Sequence, residues 1–169
     1  MIILYVMKIL LIGSYRYEFY APAFSRGFRQ LGCEVIDLPY DDYHFKGDGK
    51  LVHLLNTIQD RYHYGVKMRK YNKDIIKTVN EAKPDMVFLY RCYHIYNSTL
   101  KAIKDKTIIM SYNNDDPFSA VPSQFYYRYH IANTHFCHIN YVYRKKNIDD
   151  YAKLGVTNTE VLLPYYLSF

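Results

Sequence analysis

The chain has 169 residues, with 22 Lys or Arg against 16 Asp or Glu and a formal net charge of +6 when histidine is neutral. Half of its residues are hydrophobic, enough to offset the ordering entropy of folding, so disorder is excluded as the dominant state. No apolar run reaches the roughly 18 to 20 residues that span a bilayer, and no short period recurs, which excludes collagen-like, repeat and coiled-coil architectures.

The net positive charge permits attraction to phosphates, nucleotides or anionic lipid without choosing among them. There are 21 Tyr and no Trp, so much of the aromatic surface carries a hydroxyl that must find water or a partner. Cys33, Cys92 and Cys137 are widely spaced and form no C-x-x-C pair; they predict three buried free thiols in a reducing compartment rather than a zinc or redox site. Met1 to Val6 is apolar but has no basic flank, and Lys8 interrupts it. The start therefore predicts a cytoplasmic chain opening straight into a strand.

Lys8 to Ile12 is a short apolar run ending at Gly13, the pattern of a strand buried on both faces. From Ala21 to Leu31, Phe24, Phe28 and Leu31 recur at i, i+4 and i+7, with Pro22 in the first turn and Gly32 as a left-handed cap. Cys33 to Leu38 predicts a second strand and Asp41 to Gly49 a loop. Leu51, Leu54, Leu55 and Ile58 mark a helix face. A further helical pattern runs through Met68, Tyr71, Ile75, Val79 and Ala82, with Lys67, Lys70, Lys73 and Lys77 opposite; Gly65 lies between the two.

Asp85 to Tyr90 predicts a third strand, Asn97-Ser98 the cap of a short helix, and Thr107 to Tyr112 a fourth strand rich in β-branched residues. Pro122 to Ile131 reads as helix, Phe136 to Tyr143 as a fifth strand, and Lys145 to Leu154 as helix. Glu160 to Leu163, closed by Pro164, reads as a sixth strand. Strands and helices thus alternate throughout, which implies parallel pairing with right-handed crossovers. The predicted fold is α/β: one Rossmann-like open parallel sheet of about six strands over residues 1–169, helices on both faces, ordered 3-2-1-4-5-6.

Ligands of such sheets bind beyond the carboxyl ends of the strands. That nominates Gly13 to Tyr17, Arg91 to His94, Asn113 to Pro117 and Arg144 to Lys146. A dinucleotide is disfavoured, because Gly13 is followed by Ser14-Tyr15-Arg16-Tyr17 with no second or third glycine, although Asp37 stands where a ribose-binding acid would. In Asn113-Asn114-Asp115-Asp116-Pro117 the adjacent carboxylates suit a general base or the orientation of hydroxyls, and the same residues suit a turn. Of seven histidines only His94, near Arg91, falls in a nominated loop; no metal site is predicted. The basic-aromatic stretches 125–130 and 141–146 read either as surface patches for nucleic acid or membrane, or as solvated faces of a Tyr-rich core. No nucleic-acid-binding signature accompanies them.

Three segments together resemble one family: Met7-Lys8-Ile9-Leu10-Leu11-Ile12-Gly13, Asn113-Asn114-Asp115-Asp116-Pro117-Phe118, and Asp149-Asp150-Tyr151-Ala152-Lys153-Leu154-Gly155 with Val161-Leu162-Leu163-Pro164. The chain resembles, over about residues 7 to 166, the N-terminal half of CgeB-like (spore-maturation type) glycosyltransferases of the two-domain GT-B fold. The resemblance implies an acceptor-side domain, with transfer of sugar from a nucleotide-sugar donor to a glycan or other surface acceptor. It implies no intrinsic cofactor, and a donor bound by a second domain, in the same or a separate chain, without which this half is inactive. Carried onto this chain, Asp115 and Asp116 are the candidate catalytic residues, and Gly13, Ser14, Tyr15, Arg91, His94, Asn113 and Asn114 the acceptor-binding ones. A peripheral contact with the inner face of the membrane is a further expectation. The competing reading is a non-enzymatic Rossmann-like module that binds a nucleotide or a partner protein.

Overall fold

The computed structural model describes residues 5–119 and 124–163; the expected Pro122 start and Pro164 end lie outside them. Six strands form one parallel sheet: β1 (Lys8–Gly13), β2 (Glu34–Pro39), β3 (Met86–Tyr90), β4 (Ile108–Asn113), β5 (Ile139–Val142) and β6 (Thr159–Val161). Among the described residues six α-helices accompany them: α1 (Ala21–Gln30), α2 (Lys50–Tyr62), α3 (Val66–Ala82), α4 (Asn97–Ile103), α5 (Gln124–Asn133) and α6 (Lys146–Ala152).

The strand order is β2-β1-β3-β4-β5-β6, not 3-2-1-4-5-6. Polarity explains the difference. β3 is buried along its whole length, as a central strand must be, whereas β2 carries Glu34 and Asp37 and has only Leu38 buried. The chain therefore leaves β1 for one edge and returns on its other side, placing the switch point between β1 and β3. The loops after Gly13 and Asn113 are consequently not neighbours; β3 and the segment from Arg91 separate them.

The alternating side chains of the central strands fill two cores. Leu10, Ile12, Val87, Leu89 and Ile109 pack with Met68, Tyr71, Ile75 and Val79 of α3 and Leu100 and Ile103 of α4. On the opposite face Ile9, Leu11, Phe88 and Tyr90 pack with Phe24 and Phe28 of α1. Gly13 is needed where α1 crosses the sheet, since a Cβ there would lie 2.9 Å from the Tyr90 carbonyl oxygen and 3.1 Å from the Ala21 Cβ.

α2 and α3 are separate helices. His63 ends α2 in the left-handed region at φ 51°, its N–H donating to the Gln59 carbonyl at 2.7 Å, and Gly65 follows at φ 132°. Three smaller expectations change. The cap of α4 comes from α3 rather than from Asn97 or Ser98: the Asn72 Oδ1 accepts from the Tyr96 N–H and the Thr99 hydroxyl, both at 2.7 Å. β5 starts at Ile139 rather than Phe136, because Thr134–Phe136 forms a 3-10 turn and His138 brackets Ile109, donating its N–H to that carbonyl and accepting the Ile109 N–H at Nδ1. Cys33 is half-buried, while Cys92 and Cys137 are buried free thiols.

Candidate functional site

Gly13 and Ser14 at the end of β1, Tyr40, Asp41 and His44 after β2, Asp60 of α2, Arg91–His94 after β3 and Tyr126 of α5 line a cavity of about 220 Å³. It lies at the carboxyl ends of β1 and β3, beside the switch point where open parallel sheets bind ligands.

Arg91 forms one wall in a conformation uncommon for its residue type, at φ 52°. His63 and Lys83 share this region, but each ends a helix. Arg91 has no helix to terminate, and its backbone strain coincides with its place in the pocket wall. Its guanidinium lies over the Tyr20 ring at 4.6 Å and donates to Asp115 Oδ2 at 2.8 Å and the Tyr93 hydroxyl at 3.2 Å. Burial works against this charge, but Tyr93 and the Asp115 carboxylate outweigh it and keep the group protonated.

The floor is built from imidazoles and one carboxylate. His44 Nε2 is 2.9 Å from Asp60 Oδ1, and the Tyr40 hydroxyl donates to the same oxygen. The Tyr40 ring stacks on His94 at 4.0 Å and 12°, and His63 meets His94 edge-on at 4.4 Å. The His94 carbonyl is held by the Asn72 side-chain amide at 3.0 Å. His94 Nε2 stands 3.9 Å from Asp60, too far for a hydrogen bond, and this buried nitrogen has no hydrogen-bond partner among the described residues.

Charge is distributed unevenly over this floor. The hydrogen bond that His44 donates to Asp60 raises the His44 pKa above the ordinary histidine value against the effect of burial. Burial, with the neighbouring His63 second, pushes His94 well below that value, and burial takes His63 down to about 4. Burial alone would raise the Asp60 carboxyl, but bonds from His44 and Tyr40 leave it lowered. The site therefore couples a proton-accepting His44–Asp60 pair to a neutral imidazole with a free nitrogen. Among the described residues, no three His, Cys, Asp or Glu side chains converge on a point that could hold a metal ion.

Of the candidates named from sequence, Gly13, Ser14, Arg91 and His94 line this cavity. Tyr15 turns to the other side of its loop and donates its hydroxyl to Asp37, which also accepts from Ser25 and Arg29. The acid at the ribose position is thus already occupied. Asn113 is buried and internal, its Oδ1 accepting the Asp115 N–H at 3.0 Å. Asn114 is half-buried, and its Oδ1 has no hydrogen-bond partner among the described residues. Asp115 reaches the cavity only through Arg91 and Tyr93.

Asp116 is buried away from the cavity, within 2.5 Å of Lys146 Nζ, 3.3 Å of Arg144 and 2.9 Å of Asn147 Nδ2, and it accepts the Phe118 N–H. Burial opposes its charge, yet Lys146 and Asn147 hold it below the usual carboxylate range. Tyr40, His44, Asp60 and Tyr126 were not anticipated. A usable signal existed in α2: Val52, Asn56, Gln59 and Asp60 share one helix face, and a lone acid on a face turned from the leucines marks an inward polar role.

No family model matches the chain, and no curated protein matches it by sequence. Among solved structures, a Listeria monocytogenes protein provisionally named a UDP-N-acetylglucosamine 2-epimerase is similar, with a TM-score of 0.57 at 12% identity over 92% of this chain. The match spans 44% of that protein's length, so this chain corresponds to less than half of it. The likeness is one of fold, a Rossmann-like open sheet of the GT-B-like kind. Among the described residues no helix is long and apolar enough to cross a membrane.

Proposed function

We propose that this chain is the acceptor-side half of a CgeB-like, GT-B-type glycosyltransferase, and that the cavity between β1, β3 and α2 holds the acceptor. The observation that carries the reading is that the His44–Asp60 pair lines the same cavity as His94, whose buried Nε2 has no hydrogen-bond partner among the described residues. A buried polar atom without a partner costs about 1–3 kcal/mol, which a hydroxyl-bearing ligand would recover. The cavity has room for about one sugar-sized ring, and its walls mix aromatic faces with hydrogen-bonding groups, as carbohydrate recognition requires.

In this mechanism an acceptor hydroxyl donates toward neutral His44 and accepts from His94, whose neutral ring presents Nε2–H. As the oxygen attacks the sugar carbon, its proton passes to His44. The Asp60 carboxylate stabilises the imidazolium that forms. Arg91, fixed by Asp115 and Tyr93, keeps the cavity wall in place. The nucleotide-sugar donor is presented by a second domain, on this or another chain, which also stabilises the departing nucleotide.

The test is kinetic, in enzyme complete with its donor-binding half. Asp60→Asn and His44→Gln should each lower kcat by roughly 10²-fold or more, and the wild-type rate should rise with pH through the His44 pKa. Near-normal rates in both variants would refute the reading.

A further inference from the structure

α2 packs on the molecule with the wrong face for a core helix. Its inward residues are Val52, Asn56, Gln59 and Asp60, three of them polar, and only Gln59 is buried outright. Leu51, Leu54, Leu55, Ile58 and Tyr62 fall at i, i+3, i+4, i+7 and i+11, one continuous stripe, and all face solvent at 38 to 68% exposure. Phe125 of α5, 51% exposed, extends the stripe through an edge-on contact with Tyr62 at 6.2 Å. A contiguous apolar strip of this kind marks an interaction surface.

The surrounding charge selects the occupant. Over residues 45 to 69 the exposed cations are Lys46, Lys50, Arg61 and Arg69, against the single exposed carboxylate Asp48; the other acid, Asp60, points into the cavity. Lys50 and Arg61 follow the apolar stripe along one side of α2. A second copy of this chain docked through the same stripe would bring like-charged rims together. We infer that the outer face of α2 is a docking surface for an anionic lipid bilayer, with the leucines and Ile58 entering the acyl boundary, Tyr62 at headgroup level and the cations on lipid phosphates.

Flotation of the full chain with vesicles tests this. The protein should float with phosphatidylcholine vesicles containing phosphatidylglycerol, weakly with phosphatidylcholine alone, and less as salt is raised. Leu54→Glu and Ile58→Glu, both at exposed positions that leave the core intact, should each reduce binding by roughly tenfold or more with an unchanged circular dichroism spectrum. Lys50→Glu with Arg61→Glu should remove the preference for anionic lipid. Three results would overturn the inference: no flotation at low salt, flotation indifferent to the glutamates, or a dimer in sedimentation that Leu54→Glu dissolves. None of these variants touches the acceptor cavity, so failure here leaves the catalytic proposal standing, and failure there leaves this one.

Discussion

The loop after β4 and the pocket beneath α2 are made from the same materials, carboxylates, amides and imidazole or aromatic rings, arranged to opposite ends. In the loop, Asp115 and Asp116 have partners at hand: Arg91 and Tyr93 for one, Lys146, Arg144, Asn147 and a backbone N–H for the other. In the pocket, one nitrogen of His94 is buried with no partner among the described residues, and the same is true of one nitrogen of His63, packed behind it. Asn114 Oδ1 of the loop is also without a partner among the described residues, so the contrast lies in the carboxylates: Asp115 and Asp116 are already paired and have little left to offer, whereas an unpaired buried imidazole nitrogen would gain by meeting a ligand. Asp115 and Asp116 are adjacent in sequence yet face different partners, whereas residues 44, 60 and 94, far apart in sequence, meet at one cavity.

The largest expected effect separates the two clusters by pH. Native His63 titrates near 4 rather than at the ordinary 6.5. Between those values the unfolded chain binds a proton that the native state does not, so stability falls as pH drops from about 6.5 to about 4, by on the order of 3 kcal/mol for this group. His94 is shifted the same way, and His130, buried against Asn113, also titrates near 4 and adds to the slope. His63→Asn, which keeps the left-handed helix end accessible, should flatten that part of a urea-unfolding series across pH. An unchanged slope would mean that His63 is solvated in solution.

Asp116 should respond differently. Its folded pKa is lowered, so its contribution is present above the ordinary carboxylate value and is lost only as pH falls through the folded pKa. Asp116→Ala should cost roughly 2–3 kcal/mol at neutral pH, because it strands Asn147 and the Phe118 N–H and leaves Lys146 and Arg144 without their shared anion. Acceptor binding by the folded fraction should not change. A variant that binds acceptor tenfold more weakly while remaining folded would move Asp116 back into the functional site.

The smallest effect is a titration shift. His44 has a raised pKa, so its contribution is complete below the unfolded value and fades as pH rises through the folded one, the reverse of His63. In Asp60→Asn the His44 ring signal, followed by NMR, should titrate lower, toward the ordinary histidine value. If it does not move, the 2.9 Å contact is not maintained in solution.

Much of the fold could be read from periodicity, because apolar runs ending in Gly or Pro and separated by i, i+4 helical patterns leave few alternatives to a parallel sheet. Strand order was less accessible. It depends on which strand is buried on both faces, and the uninterrupted Met86-Val87-Phe88-Leu89-Tyr90 against Glu34 and Asp37 carried that information. The α2 stripe was visible as a helix face, but a periodic apolar pattern does not say whether the core or something outside the chain will cover it. The pocket was half legible: Arg91 and His94 follow directly from a strand end, whereas His44 and Asp60 sit in a loop and a helix whose approach only the strand order determines.

The placement of β1 has a consequence during synthesis. Ile9 lies opposite Val35 on one side and Met86 on the other, so β1 lacks its second neighbour until β3 has been translated. At about 5–20 residues per second the nascent chain carries an apolar, half-paired edge for several seconds. Fragments ending before Tyr90 should therefore aggregate when expressed, and recovery of folded protein should depend on whether something shields that edge in the interval.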